Sequence, residues 1–326
     1  MTSDRKSEIV NDIAGYFTGE LKRIVSELPE QVKSSISEIR LRSGRPLSLT
    51  VGGENVFVSK QGNICHLLQH GLYTVSGDEV EAVFKSMCNY SAYAYSEQIR
   101  QGFLTVKNGC RVGIAASAVY EDGRISGLIH ISSLNIRIAA EYIGCAKPIA
   151  HVLDKGLLIA GPPSSGKTTV LRDAVRLISN GFGTRRRRVA VIDPRGEIAA
   201  TSNSVPQNDL GPLTDVLTGC TKKEGIEMAI RTLSPDVLAF DEIGNSYEAN
   251  AVLKSFHSGA DTVCTAHLGS IGELFKRDFI IEILKSGAIN RVAFLPFAGA
   301  VPTVYEVVSD GEVTELKVVE RGVALA

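Results

Sequence analysis

The sequence predicts an α/β protein with two domains: a smaller α+β domain over residues 1–145, then a mostly parallel sheet with helices on both faces over 146–326. Three observations predict it. From about residue 150, short apolar runs alternate with segments of helical apolar spacing, the pattern of a parallel sheet. Gly161-Pro162-Pro163-Ser164-Ser165-Gly166-Lys167-Thr168 matches G-x-x-x-x-G-K-[ST] and stands between one such run and one such helix. Upstream, strands, one helix and strands again follow each other with Gly-rich turns.

A net charge of −1 over 326 residues argues against general nucleic-acid binding, and 44% hydrophobic residues suits a soluble chain with buried cores. No run approaches the roughly 18 apolar residues of a membrane span. Met1–Glu8 is polar and no apolar h-region follows, so no secretory signal is expected. The six cysteines are scattered with no C-x-x-C pair, which reads as reduced, mostly buried thiols of a cytoplasmic protein, not a zinc or disulfide framework.

Residues 1 to about 30 read as an amphipathic helical start. Ile36–Arg42 alternates as a half-buried strand, with Ile36, Ile39 and Leu41 only roughly in phase. Ser43–Pro46 turns, Leu47–Val51 alternates again, and Gly52-Gly53 turns back. Ser76 with Glu79 three residues on is a capping-box signature, and Val80, Val83, Phe84 and Met87 continue at helical spacing. Strands are expected at 102–106, 111–114 and 134–138, and the boundary near Gly144–Pro148. Beyond it, strands are expected at 156–160, 188–193, 236–241, 262–266 and 291–295, with helices at 167–179, 222–233, 246–257 and 271–285. A hairpin turning at Asp310-Gly311 closes the chain.

Gly161 to Thr169 sits where an anion would meet a helix N-terminus, with backbone N–H groups around the phosphates, Lys167 on the β/γ-phosphates and the Thr168 hydroxyl on Mg²⁺. Such a loop needs a second, acidic strand, and Pro235–Glu242, an apolar strand ending in the carboxylates Asp241 and Glu242, supplies it. Strand alternation would point the two carboxylates apart, Asp241 to Mg²⁺ and Glu242 to the attacking water. An additional strand between the P-loop strand and this one would mark the ATPase branch with a catalytic glutamate. His267 and Thr265 end another strand, where a polar group can sense the γ-phosphate. His257, Arg231, and Asp193 with Glu197 are further candidates to contact phosphate, cation or water; His257 and Arg231 read equally as structural. Arg185–Arg188 is either a solvated connection or a contact with an anionic lipid, nucleic acid or neighbouring subunit.

Together 161–168, 193–197, 231–242 and 256–267 resemble the Walker A, Asp box, Walker B and His box of the secretion ATPases: type II and type IV secretion and type IV pilus motors. Ser37–Leu47 and Gly109–Gly113 resemble strands of their PAS-like domain, so the likeness spans about residues 35 to 295. Ser37–Pro46, Ile131–Arg137, Gly161-Pro162-Pro163 and Ile192–Glu197 resemble the stage III sporulation AA family in particular. The resemblance implies a RecA-like, AAA-type P-loop core behind a PAS-like domain. It also implies ATP and Mg²⁺, a homo-hexameric ring, and a membrane protein partner in a secretion-like channel of endospore formation. The place would be the mother-cell cytoplasm, peripheral to that membrane complex. Arg111, Arg124 and Arg137 become candidates to reach a neighbour's γ-phosphate. Two departures stand out. Glu242-Ile243-Gly244-Asn245 replaces the motors' usual Glu-Ile-Arg-Asp, and no tetracysteine insert is present. A nucleic-acid-dependent NTPase and a nucleotide-gated scaffold are the competing functions.

Overall fold

The computed structural model describes residues 3–139, 141–183, 185–202, 204–309 and 314–320. Two compact units, Met1–Glu141 and Tyr142–Ala326, divide the chain.

The first unit opens with α1 (Ser3–Ala14), α2 (Gly19–Ser26) and α3 (Glu30–Ser35). Gly19 in a left-handed conformation and Pro29 at the N-cap of α3 split what the apolar pattern alone reads as one start. Then come β1 (Ile36–Arg42), β2 (Arg45–Pro46), β3 (Ser48–Val51), β4 (Glu54–Val58), β5 (Ile64–Cys65), β6 (Thr74–Val75), α4 (Gly77–Met87), α5 (Ser96–Arg100), β7 (Phe103–Thr105), β8 (Arg111–Glu121) and β9 (Arg124–Arg137). The main sheet runs β5-β4-β3-β1-β9-β8-β7, and β2 pairs with β6. A register shift between Ile36 and Glu38 explains the imperfect phase of β1: the bulge lets Ile36, Ile39 and Leu41 all face the core. Ser76 and Glu79 form the reciprocal capping box at α4. Strands β8 and β9 run well past the short apolar stretches the sequence marks, through a two-residue Asp122-Gly123 turn with both φ positive. Their outer halves extend beyond β7 and β1, and with little core to cover they lose the alternation that would reveal them.

In the second unit the elements are β10 (Leu157–Gly161), α6 (Lys167–Asn180), β11 (Val189–Ile192), β12 (Thr214–Leu217), α7 (Lys222–Thr232), β13 (Val237–Phe240), α8 (Ser246–His257), β14 (Asp261–His267), α9 (Asp278–Lys285), β15 (Arg291–Phe294), β16 (Thr303–Ser309) and β17 (Thr314–Glu320). The order is β12-β11-β13-β14-β10-β15-β16-β17. Strands β12 to β15 pair in parallel and the last two antiparallel. Strand β14 lies between β10 and β13, the additional strand expected between the P-loop strand and the acidic strand. Both faces are covered. Leu157 and Ile159 enter one core with α6, while Leu158 and Ala160 enter the other with α8 and α9. The Asp310-Gly311 turn lies outside the described residues.

Two expectations need correction. The helix expected at 271–285 is a 3₁₀ turn, Ile271–Lys276, and then α9, broken at Arg277 with φ −120° and ψ 103°. Extended backbone there lets the Arg277 guanidinium donate to the His267 carbonyl at 2.8 Å. Strand β12 lies outside the expected strands because at a sheet edge three of its residues are only half-buried and Asp215 is exposed.

The four-arginine run is partly structural. Arg187 is buried, pairs with Asp261 at 2.9 Å and donates to the Leu153 carbonyl. Burial pushes its guanidinium pKa down, and Asp261 opposes the shift. Arg188 forks onto Asp236 at 3.1 and 3.2 Å. Removing Arg187 strands Asp261 and two carbonyls, so Arg187→Ala is expected to destabilise the second unit by roughly 3 kcal/mol in urea unfolding. Exposed Arg186→Ala should stay within about 0.5 kcal/mol.

Candidate active site

The carboxyl ends of β10, β11, β13 and β14 bring Gly161, Asp193, Asp241 and His267 to one edge of the sheet. The P-loop there has the strained backbone its motif requires. Ser164 has φ +60° and Gly166 φ +90°, and the latter is the N-cap of α6. At Gly161 a Cβ would overlap the Leu295 carbonyl and the Ser165 hydroxyl, so only glycine fits. The Ser165 hydroxyl is buried with no hydrogen-bond partner among the described residues. Lys167 is buried and donates to the Pro162 carbonyl at 2.7 Å. Burial lowers its pKa, and the carboxylates Asp241 and Glu242 oppose the shift. Pro163 and Ser164 are exposed at the tip, and Pro162, Thr168 and Thr169 are half-buried.

Across the edge, the Thr168 hydroxyl donates to Asp241 Oδ2 at 2.8 Å, and the Thr265 hydroxyl donates to Asp241 Oδ1 at 2.6 Å. Thr265 in turn accepts from the Glu242 N–H at 2.9 Å. Its hydroxyl is thus engaged in holding the acidic pair, and the expectation that it senses a phosphate is corrected. A second correction concerns how the acids diverge. Strand β13 ends at Phe240, so strand alternation does not act on them; Glu242 takes φ +52°, a left-handed residue that swings its side chain away from Asp241. That carboxylate lies 3.9 Å from His267 Nε2, both about 40% exposed (40% and 43%).

Asp193 is buried and accepts three loop amides: Glu197 N at 2.9 Å, Ile198 N at 3.1 Å and Ala199 N at 2.8 Å. Burial pushes its pKa up, against those donors. Those three bonds make it the organiser of the 194–199 loop. Arg172 of α6 clasps the same loop, donating to the Ile198 and Glu197 carbonyls at 2.9 and 2.8 Å. Glu197 is half-buried and lines, with Lys222 and Asp241, a small cleft. Arg231 and His257 stand at the far ends of α7 and α8, one helix length from this edge. Arg231 bonds the Glu227 carbonyl of its own helix. Neither joins the site.

In the first unit, Arg111 of β8 and Arg137 of β9 are register partners, both exposed. Arg111 covers the Phe103 ring at 4.0 Å and Arg137 lies 3.5 Å from Glu38. Arg124 is exposed at the hairpin tip.

Residues 3–312 match the family model for sporulation stage III, protein AA. The chain belongs to that family. Stage III sporulation protein AA of Bacillus subtilis (strain 168) is 35% identical over 312 residues, 93% of this chain and 97% of that protein. Among solved structures, the pilus retraction motor PilT with bound ADP has a TM-score of 0.55 at 16% identity, covering 89% of this chain and 80% of that one. The Legionella pneumophila ATPase DotB has a TM-score of 0.52 at 15% identity, covering 96% and 82%. These likenesses show the RecA-like secretion-ATPase fold for this member of the sporulation AA family. Sequence reasoning missed Lys222, Arg172 and Arg277, whose roles come from contacts with distant segments.

Thr265→Val removes one partner each from Asp241 Oδ1 and the Glu242 N–H, which keep their mutual 3.1 Å bond. It is expected to cost about 1–3 kcal/mol in chemical unfolding, while Thr265→Ser should retain most of the wild-type stability.

Proposed function

We propose that this chain is an ATP-hydrolysing motor or assembly ATPase of a secretion-like channel in endospore formation. The observation that carries the reading is the Thr168–Asp241 bond beside the P-loop, with Glu242 next in sequence. A hydroxyl and a carboxylate converging at the start of a phosphate-binding helix suit Mg²⁺, and the unpartnered Ser165 hydroxyl and the Gly161 close approach suit a phosphate chain. The residues present therefore fit Mg²⁺ with ATP. Bound there, the cation supplies charge neutralisation for the phosphate oxygens.

The loop amides and Lys167 hold the β/γ-phosphates, and Lys167 leaves the Pro162 carbonyl to do so. Thr168 and Asp241 would hold Mg²⁺. Glu242 orients water toward the γ-phosphorus and takes its proton as the new P–O bond forms and the bond to the β–γ bridging oxygen breaks, so that ADP leaves; His267, 3.9 Å away, keeps that carboxylate aimed and senses the γ-phosphate. Glu197 lines the cleft beside Asp241. Arg111 or Arg137 of an adjoining copy neutralises developing charge, which requires a ring, taken as a homo-hexamer docked on a membrane protein at the mother-cell side. No helix among the described residues is long and apolar enough to cross a membrane. The nucleic-acid-dependent alternative rested on Arg185–Arg188, and two of those arginines are engaged within the fold.

Turnover by the assembled protein tests the reading. Lys167→Ala and Glu242→Gln should each lower kcat by roughly 10²–10⁴-fold, and a chelator should abolish activity until Mg²⁺ is restored. Wild-type turnover by Glu242→Gln removes the base assignment. Specific activity should rise with protein concentration as mass rises in parallel. Arg111→Ala or Arg137→Ala should then lose roughly 10³-fold or more without losing assembly. Activity independent of assembly state would remove the trans arginine.

A further inference from the structure

The geometry points to Lys222, clamped by Glu248, as the positioning residue that holds Glu242 in its working conformation. This inference rests on the reading of Glu242 as the residue that orients water.

Glu242 is a non-glycine residue at φ +52°, and such strain persists only when neighbouring groups over-determine it. Each polar group of its backbone is held. Its N–H donates to Thr265 Oγ1 at 2.9 Å, and the next N–H, of Ile243, donates to the Thr265 carbonyl at 2.7 Å. Its carbonyl accepts from Lys222 Nζ. That ammonium is also 2.8 Å from Glu248 Oε1, with side chains only 24% and 13% exposed. The other Glu248 oxygen accepts from the Gly244 N–H at 2.7 Å. One carboxylate and one ammonium thus bracket the turn Glu242-Ile243-Gly244 from both ends.

Lys222 stands where a cation is not otherwise favoured. It is the first residue of α7, whose N-terminus carries the positive end of the helix dipole. That helix start is itself immobilised. Thr221 and Glu224 form a capping box, and at Gly225 a Cβ would lie 2.6 Å from Ile192 Cγ2, so α7 presses directly on β11. Glu248 is likewise placed by the start of α8, where its N–H donates to Asn245 Oδ1 at 3.1 Å. A lysine fixed against the dipole, with its charge met by Glu248 and a second N–H donated to the Glu242 carbonyl, is an arrangement for holding that peptide. The Gly244 N–H donates to Glu248 and Asn245 caps α8, so both residues after Ile243 belong to the same hydrogen-bonded turn.

The test is a four-protein cycle in steady-state ATP hydrolysis: wild type, K222M, E242Q and K222M/E242Q. K222M should lose roughly 10–10²-fold in kcat while KM for ATP stays within about twofold, since a misplaced group costs rate more than binding. The double variant should be no slower than E242Q. E248Q keeps a neutral acceptor for Gly244 and reads the same clamp from its other end; it should show a smaller loss in kcat at unchanged KM, which keeps the test open if K222M does not fold. Wild-type kcat in K222M, or in E248Q where K222M does not fold, overturns the inference. So does a double variant whose loss is the product of the single losses, which would mean Lys222 acts independently of Glu242. Wild-type turnover by E242Q alone is a different failure: it overturns the assignment of Glu242 and, with it, the route through which Lys222 acts.

Discussion

The hydrogen bonds that meet on Asp241 are the constraint on which the site depends. One carboxylate receives Thr168 from the P-loop helix and Thr265 from β14, and Thr265 receives the Glu242 N–H. Three segments far apart in sequence are thereby held to fractions of an ångström. The contacts are short because the groups are charged or half-buried, where such bonds are stronger than in water. The order β13-β14-β10 makes them possible: the strand that carries Thr265 lies between the strand before the P-loop and the strand before the acids.

The sheet beneath can hold that geometry because it is buried on both faces. Strands β10, β11 and β13 have fully buried patterns, and their alternating side chains enter separate cores on the two sides. With apolar packing at near-crystal density, the loops at the carboxyl edge inherit little freedom. Polar clasps then secure them one by one. Asp193 and Arg172 hold the 194–199 loop, Arg277 holds the end of β14, and Lys222 with Glu248 holds the turn after Glu242. Much of the charge that sequence inspection offers to phosphate is used in this way, as supports for a smaller set of groups that remain open to a ligand.

Legibility followed local signals. The P-loop, the parallel strands with buried runs and the Ser76 capping box were readable because each announces itself within a few residues. The register bulge in β1 left its trace as an imperfect alternation. The outer half of the β8–β9 hairpin and edge strand β12 left none, since neither buries a continuous face. Arg277 looked like one more helical residue, and only the His267 carbonyl it reaches explains the break. Arg185–Arg188 looked uniform, yet Arg187 is buried on Asp261 while Arg186 stays in solvent.

By itself the sequence determined the chemistry at stake and the class of fold: a phosphate loop, an acidic strand end, and alternating strands and helices are consequences of residue type and spacing over short distances. Only the tertiary structure decided which groups each of the nearby polar residues meets. Thr265 and Asp193 turn out to be holders, Arg231 and His257 lie at the wrong ends of their helices, and Glu242 diverges from Asp241 through a left-handed backbone. The physical reason is that a side chain's role depends on what its polar atoms meet, and several of those partners, such as Thr168 and Thr265 on Asp241, lie tens of residues away and are brought within hydrogen-bond distance by the strand order.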